Sequence, residues 1–228
     1  MSGWFAFGEK WLPFLLGGVP IALLIWVVAM SVGIVFGLAL AWMRVYGGKI
    51  PYWFATGYVE FFRGTPVIVQ MFFIYFGLPS LGISFSPFVA ATIAIALDTS
   101  AYQAEYFRGS IQAVSKGQLI AARAQGMTAL QAFMNIVLPQ ALRLVLPQWS
   151  NEAIIELKFT SIAYTIGVAE ITERAYKVGY ETYEFFAIFL WAAVIYMVLT
   201  TVVSEALWLL EKRLAIPGLG VNVGRPEG

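Results

Sequence analysis

Residues 12–43 read LPFLLGGVPIALLIWVVAMSVGIVFGLALAWM, an apolar run without one charged residue. A helix needs about 20 mostly apolar residues to cross roughly 30 Å of hydrocarbon, so Leu12–Met43 reads as a membrane-spanning helix. It is too long and too clean for a secretory leader, whose apolar core runs about 7–15 residues before a small-residue cleavage site. Four more stretches of comparable character follow: Tyr52–Leu78, Ser86–Ile111, Leu142–Val168 and Phe185–Leu210. The last holds a single charge, Glu205. The middle three hold Glu60 and Arg63, then Asp98 and Glu105, then Glu152, Glu156 and Lys158. Charge at bilayer depth is costly and turns towards a bundle interior or a wet cavity. Stretches two to four are therefore expected to surround something polar, with one and five wrapped around them. The expected fold is an all-α integral-membrane domain covering 1–228, with five transmembrane helices.

Composition agrees. The chain of 228 residues is 60% hydrophobic and 12% charged, against about 25% charged in a soluble domain. A net charge of +1 excludes bulk attraction to nucleic acid. Cys and His are both absent, which removes disulfides, thiol nucleophiles, the usual Ser–His dyad and most transition-metal sites. Catalysis by this chain is not expected. With the amino terminus outside and the carboxyl terminus cytoplasmic, nine basic residues fall at inner ends (Arg44, Lys49, Arg108, Lys116, Arg123, Arg143, Lys212, Arg213, Arg225) and three at outer ends (Lys10, Arg174, Lys177). Positive loops stay inside, so that orientation in a cell membrane is expected. Trp and Tyr near span ends (Trp4, Trp11, Trp42, Tyr46, Tyr52, Trp53, Tyr180, Tyr183) suit interfacial anchoring. The tail after Leu214 reads as irregular.

The inner segment at about 112–142 is too polar to span and too patterned to be slack. Lys116-Gly117 marks a break, Ala121, Ala122 and Ala124 favour a helix over 118–125, and Gly126 ends it. Thr128 suits the cap of a second run, 129–137, which Pro139 interrupts. Two short helices meeting at a glycine would form a cytoplasmic knob, or an interfacial hairpin.

These residues carry a resemblance. Gly117-Gln118-Leu119-Ile120-Ala121-Ala122-Arg123-Ala124-Gln125-Gly126 with Ile136-Val137-Leu138-Pro139 is similar to the EAA loop of ABC importer permeases, with Ile120 at the position of the family's Glu. Arg63-Gly64-Thr65-Pro66 through Gln70 to Tyr75-Phe76-Gly77-Leu78-Pro79 resembles the polar amino-acid permeases within that family. So do Ser100-Ala101-Tyr102 with Glu105 and Arg108-Gly109, and Leu157-Lys158 with Thr160-Ser161 and Ile166 to Glu170. The resemblance implies a type I ABC importer permease fold whose loop (Gly117, Ala121, Ala122, Arg123, Gly126, Ile136, Pro139) docks a cytoplasmic ATPase. It also implies a second permease subunit, identical or homologous, an extracytoplasmic solute-binding protein and an amino-acid substrate. Any ion pair made by the family's Glu would be missing here. The chain itself has no phosphate loop, since Gly47-Gly48-Lys49-Ile50 lacks the upstream Gly and the hydroxyl residue. No cofactor is expected on it, and ATP and Mg would belong to the partner. A gradient-driven carrier and a small channel are the competing readings; the first needs a paired repeat that is not evident.

Candidate path residues follow from the charged stretches. Glu60, Arg63 and Gln70 would share one helical face, as an ion pair near the inner interface and a buried amide that either packs or lines the pore. Asp98 and Tyr102 are four apart; Asp98 would pair with Lys158 or meet a substrate ammonium. Asn151 and Lys158 share a face, with Glu152, Glu156 and Thr160 on an adjacent one, and Pro147 favours an interrupted helix start. Thr160 and Ser161 lie within the resembling string, each serving a path or a packing network. Phe159 stands where the family often has an acid. A neutral polar or moderately apolar amino acid is therefore the expected cargo, although Glu156 would suit a cationic one.

Overall fold

The computed structural model describes residues 2–214, with side chains from Phe7 onward. The expected irregular tail, with Arg225, and the anchoring role of Trp4 lie outside the described residues. Regular structure among the described residues is helical throughout: α1 (Ser2–Leu16), α2 (Val19–Tyr46), α3 (Lys49–Gly64), α4 (Val67–Phe72), α5 (Pro87–Ala113), α6 (Lys116–Ala124), α7 (Ala129–Ala132), α8 (Leu138–Phe159), α9 (Ile171–Thr182) and α10 (Phe185–Leu214). A wide turn at Phe73–Gly77 and a tight one at Leu78–Leu81 follow α4, a wide turn at Phe133–Val137 joins α7 to α8, and a tight helical segment, Thr160–Ile166, ends α8.

Three described stretches are long and apolar enough to cross a membrane: Phe7–Tyr46, Ala129–Ile166 and Phe185–Leu214. The second expected span is not one straight helix. α3 and the segment Val67–Leu81 meet at 101°, and they make a fourth crossing only if counted together. The cause is local: Pro66 has no N–H to continue the ladder and pushes Thr65 out of the helical region, to φ −117° and ψ 137°. α5 has the length to span but is too polar to qualify by composition. It begins at Ser86, whose hydroxyl accepts from the Val89 amide, followed by Pro87. Small residues along it (Ala90, Ala91, Ala94, Ala101, Ala104) are fully buried, and α2, α3, α4 and α8 all pack on it. α5 is the axis of the bundle. Trp149 on α8 donates to Gln103 on α5 at 3.1 Å, and Gln103 donates to Thr99 at 3.1 Å, so the polar groups at this crossing are paired.

A second core, called the outer core for the side on which the charge bias would put it, forms around α9. The segment after Gly167 carries Glu170, Glu173, Arg174 and Lys177, yet α9 buries Ile171, Ala175 and Val178 against Leu15, Ala22, Ile188, Ala192 and Ile195 of α1, α2 and α10. The approach is close: a Cβ on Gly18 would stand 2.5 Å from the Ile171 amide nitrogen. Arg174 on α9 donates to the carbonyls of Ala169 (3.1 Å) and Phe14 (3.0 Å) and lies over the Phe14 ring. It thereby satisfies a carbonyl left open where α1 ends. Glu170, fully buried, caps α9 by accepting from the Thr172 and Glu173 amides at 2.8 and 2.9 Å, and takes the Tyr196 hydroxyl of α10 at 2.6 Å.

Candidate functional site

The bend between α3 and α4 is held by a side chain. Phe62 would give its carbonyl to the amide of residue 66, which Pro66 lacks. The Gln70 amide fills the gap, with Nε2 at 2.9 Å from Phe62 O, 3.0 Å from Thr65 O and 3.1 Å from Thr65 Oγ1. The same nitrogen lies 3.2 Å from Asp98 Oδ1 on α5. Both residues are buried, and Gln70 Oε1 has no partner. The shared face expected for Glu60, Arg63 and Gln70 is therefore lost at the break. Glu60 and Arg63 form no ion pair; the Arg63 guanidinium lies 5.1 Å over the Tyr102 ring, a favourable cation–π placement. Beside the bend lies an apolar cavity of about 520 Å³, walled by Phe61, Phe62, Val69, Phe73 and Leu97, with Gln70 on its edge.

The two faces expected on α8 do separate. Glu152, Glu156 and Thr160 are buried, whereas Gln148, Asn151 and Lys158 are exposed on the other side. Glu152 accepts from the Tyr106 hydroxyl at 3.0 Å. Both Glu156 oxygens are buried without a hydrogen-bond partner. Thr160 donates back to Leu157 O at 2.7 Å, and Ser161 is half-buried. Asp98 and Lys158 form no ion pair, because Lys158 points out of the packing that encloses Asp98. Pro147 does not interrupt α8, which runs unbroken from Leu138 to Phe159; the change of geometry comes later, where the helix tightens at Thr160 and ends at Gly167. At the other end of α5, Glu105 is clasped by Arg44 of α2 and by Arg108, the latter at 2.6 Å. Among the described residues no group of acids is placed to hold a metal ion.

The inner segment folds as two helices and a hinge, with two differences from expectation. Gly117 lies inside α6, which starts at Lys116 behind Ser115. Pro139 does not stop the second run: α7 widens over Phe133–Val137, where the ladder loses the amide of residue 139, and passes directly into α8. Gly126 adopts φ +86°, the left-handed conformation a residue with a Cβ adopts at a cost. Thr128 and Gln131 form a reciprocal capping box. Ala122 is buried under the knob; Gly117, Ala121, Arg123, Gly126 and Pro139 are exposed, and Ile136 is half-buried. Ile120 is 68% exposed. It borders a hollow of about 610 Å³ with Tyr46, Val114, Leu119 and Val137.

Sequence reasoning missed four of these partnerships: Gln70 as a cap for α3, Tyr106 on Glu152, Arg44 on Glu105, and Glu170 in the outer core. Only the first had a local signal, Pro66.

This arrangement, a bent polar-centred helix bundle carrying a hinged knob, has relatives. Residues 33–216 match the family described as binding-protein-dependent transport system inner membrane component. The chain belongs to that family. It is 40% identical over 188 residues to a probable glutamine ABC transporter permease protein, GlnM, of Bacillus subtilis, covering 82% of this chain and 87% of that one. It is 42% identical to the octopine transport system permease protein OccM of Rhizobium radiobacter, over 86% of this chain and 84% of that one. Among solved structures, an amino acid ABC transporter crystallised with histidines superposes with a TM-score of 0.84 at 37% identity, covering 92% of this chain and 98% of that one. The MetNI methionine transporter in an inward-facing form, at 21% identity and a TM-score of 0.77, shares the fold.

Proposed function

We propose that the chain is the membrane-spanning subunit of an ATP-driven amino-acid importer, forming the path by alternating access while a separate subunit hydrolyses ATP. The observation that carries this reading is one chain holding both a polar-centred bundle bent at Pro66 and a Gly126-hinged knob, in a family of binding-protein-dependent transporters whose relatives here are amino-acid and opine permeases. The knob, through Gly117, Ala121, Ala122, Arg123, Gly126, Ile136 and Pro139, docks the cytoplasmic ATPase, where ATP and Mg reside. A gradient-driven carrier has no use for such a knob. α5 crosses the bilayer as the remaining span, with the amino terminus outside and the carboxyl terminus cytoplasmic. An extracytoplasmic binding protein delivers the cargo.

Gln148, Asn151 and Lys158 form an exposed polar stripe on a span-length helix. Lipid is a poor neighbour for that stripe, so it faces a second permease subunit across the path. Asn151, Lys158, Ser161 and Tyr102 then border the path, with Gln70, Asp98, Glu156 and Thr160 set behind them. Three buried acids, Asp98, Glu152 and Glu156, lie in the bundle, and Arg63 is near enough to act on Glu152. That excess of acid disfavours an anionic side chain, and Phe159, standing where the family often has an acid, favours a neutral polar amino acid over a cationic one. The test is uptake by proteoliposomes holding the permease with its ATPase. ATP-dependent uptake of a neutral amino acid, competed by glutamine and not by glutamate, is expected. Uptake without ATP refutes the ATP-driven reading, and competition by glutamate refutes the charge argument.

A further inference from the structure

Residues 97–100 of α5 hold both halves of the broken span. Tyr58 on α3 donates to the Leu97 carbonyl at 3.3 Å and shares a hydrogen bond with Ser100 Oγ at 2.7 Å. Asp98, one residue further on, holds Gln70 of α4. Gln70 in turn supplies the donor that Pro66 cannot give to Phe62. The chain of contacts runs from α5 through one carboxylate to one amide, and from that amide back to the open end of α3. Without it, the α3–α4 junction retains one extended residue and a missing amide, and nothing in the backbone ladder fixes the angle between the two helices.

Asp98 has the features of a group acting through another. It is 3% exposed and meets no base. Its listener is the neutral Gln70 amide, which needs an acceptor and no charge. We propose that Asp98 is a positioning residue: as a hydrogen-bond acceptor it sets the bend of the broken span through Gln70, and it does not contact the cargo. The part it plays in transport is to keep α4 and the turn after it at a fixed angle over the path. A carboxamide at position 98 preserves the Oδ1 acceptor, so charge and hydrogen bonding separate cleanly.

This rests on the permease reading, and the experiment keeps the two apart. The unaltered complex, Asp98→Asn and Asp98→Leu are reconstituted with the ATPase, and uptake rate, KM and ATP hydrolysed per amino acid are measured. The bend is read independently by paired spin labels at Trp53→Cys and Phe76→Cys, both exposed, in a chain with no native cysteine. Asp98→Asn is expected to keep uptake within about twofold of the unaltered complex, with KM and the label distance unchanged. Asp98→Leu is expected to lower uptake about tenfold or more, to raise ATP spent per amino acid and to broaden the label distance. Equal damage from Asn and Leu overturns the proposal, because a charge is then required. A raised KM with an unchanged label distance also overturns it, because Asp98 then meets the cargo. If Asp98→Leu fails to insert, the Asn variant alone still decides between charge and acceptor. No ATP-dependent uptake by the unaltered complex, in contrast, refutes the permease reading.

Discussion

Glu170→Ala should loosen the outer core by several kcal/mol without touching the path. The carboxylate is fully buried and makes three hydrogen bonds, to the Thr172 and Glu173 amides and to the Tyr196 hydroxyl. Loss of an N-cap costs about 1 kcal/mol. Leaving the half-buried Tyr196 hydroxyl without its 2.6 Å carboxylate acceptor adds about 1–3 kcal/mol. The sum is about 2–4 kcal/mol, at the upper end for a change outside the transport path. Tyr196→Phe removes one donor and leaves the cap intact, so about 0.5–1.5 kcal/mol is expected. The double variant should cost less than the sum of the singles, since both remove the same bond. Unfolding in mixed micelles with rising denaturing detergent, followed by tryptophan fluorescence, measures all three. A Glu170→Ala variant within about 0.5 kcal/mol of the unaltered chain, or strict additivity in the double variant, would refute the reasoning.

Three further outcomes are expected. Ala122→Asp, which buries a charge under the knob, and Gly126→Pro, which cannot adopt φ +86°, should abolish co-purification of the ATPase while membrane insertion persists; normal co-purification of both sinks the docking assignment. Glu105→Leu should destabilise by about 1–3 kcal/mol, because it leaves the half-buried Arg44 guanidinium beside Arg108 without its carboxylate, and adding Arg44→Leu should restore part of the folded yield seen by size-exclusion chromatography. Gly18→Leu should cost about 1–3 kcal/mol or more, since its Cβ would meet backbone at 2.5 Å; an unchanged thermal midpoint in detergent would show that the contact between α2 and α9 yields.

Long-range apolarity and short-range capping were legible. The Thr128 cap and the Gly126 hinge depend on residues a few positions apart, and both appear in the structure; the uncharged run 12–43, expected as one helix, appears as parts of α1 and α2 with a turn at Gly17 and Gly18 between them. The bend was legible in part, since Pro66 forbids helical geometry at Thr65, yet an unbroken helical face was drawn through it to Gln70. What failed was partner choice. Asp98 and Lys158 are opposite charges on spans expected to be neighbours, but rotation of α8 about its axis sends Lys158 outward, and no spacing rule fixes that rotation. The burial of α9 was hidden because its charges, Glu173, Arg174 and Lys177, sit on one side of a helix whose other side carries Ile171, Ala175 and Val178.

The clamp of Arg174 on Phe14 joins residues 160 positions apart. Helices inserted from a ribosome arrive in order, and domains assemble as their parts emerge. α1 is made first, yet its resting place among α9 and α10 does not exist until nearly the whole chain has been synthesised. Through that interval α1 has only lipid and the start of α2 for company, and the open Phe14 carbonyl waits. Closure of this core therefore cannot precede the synthesis of α10, which supplies Ile188, Ala192 and Ile195. A chain cut short before α10 would lack that wall of the core and could not bury Leu15 of its first helix in the same way.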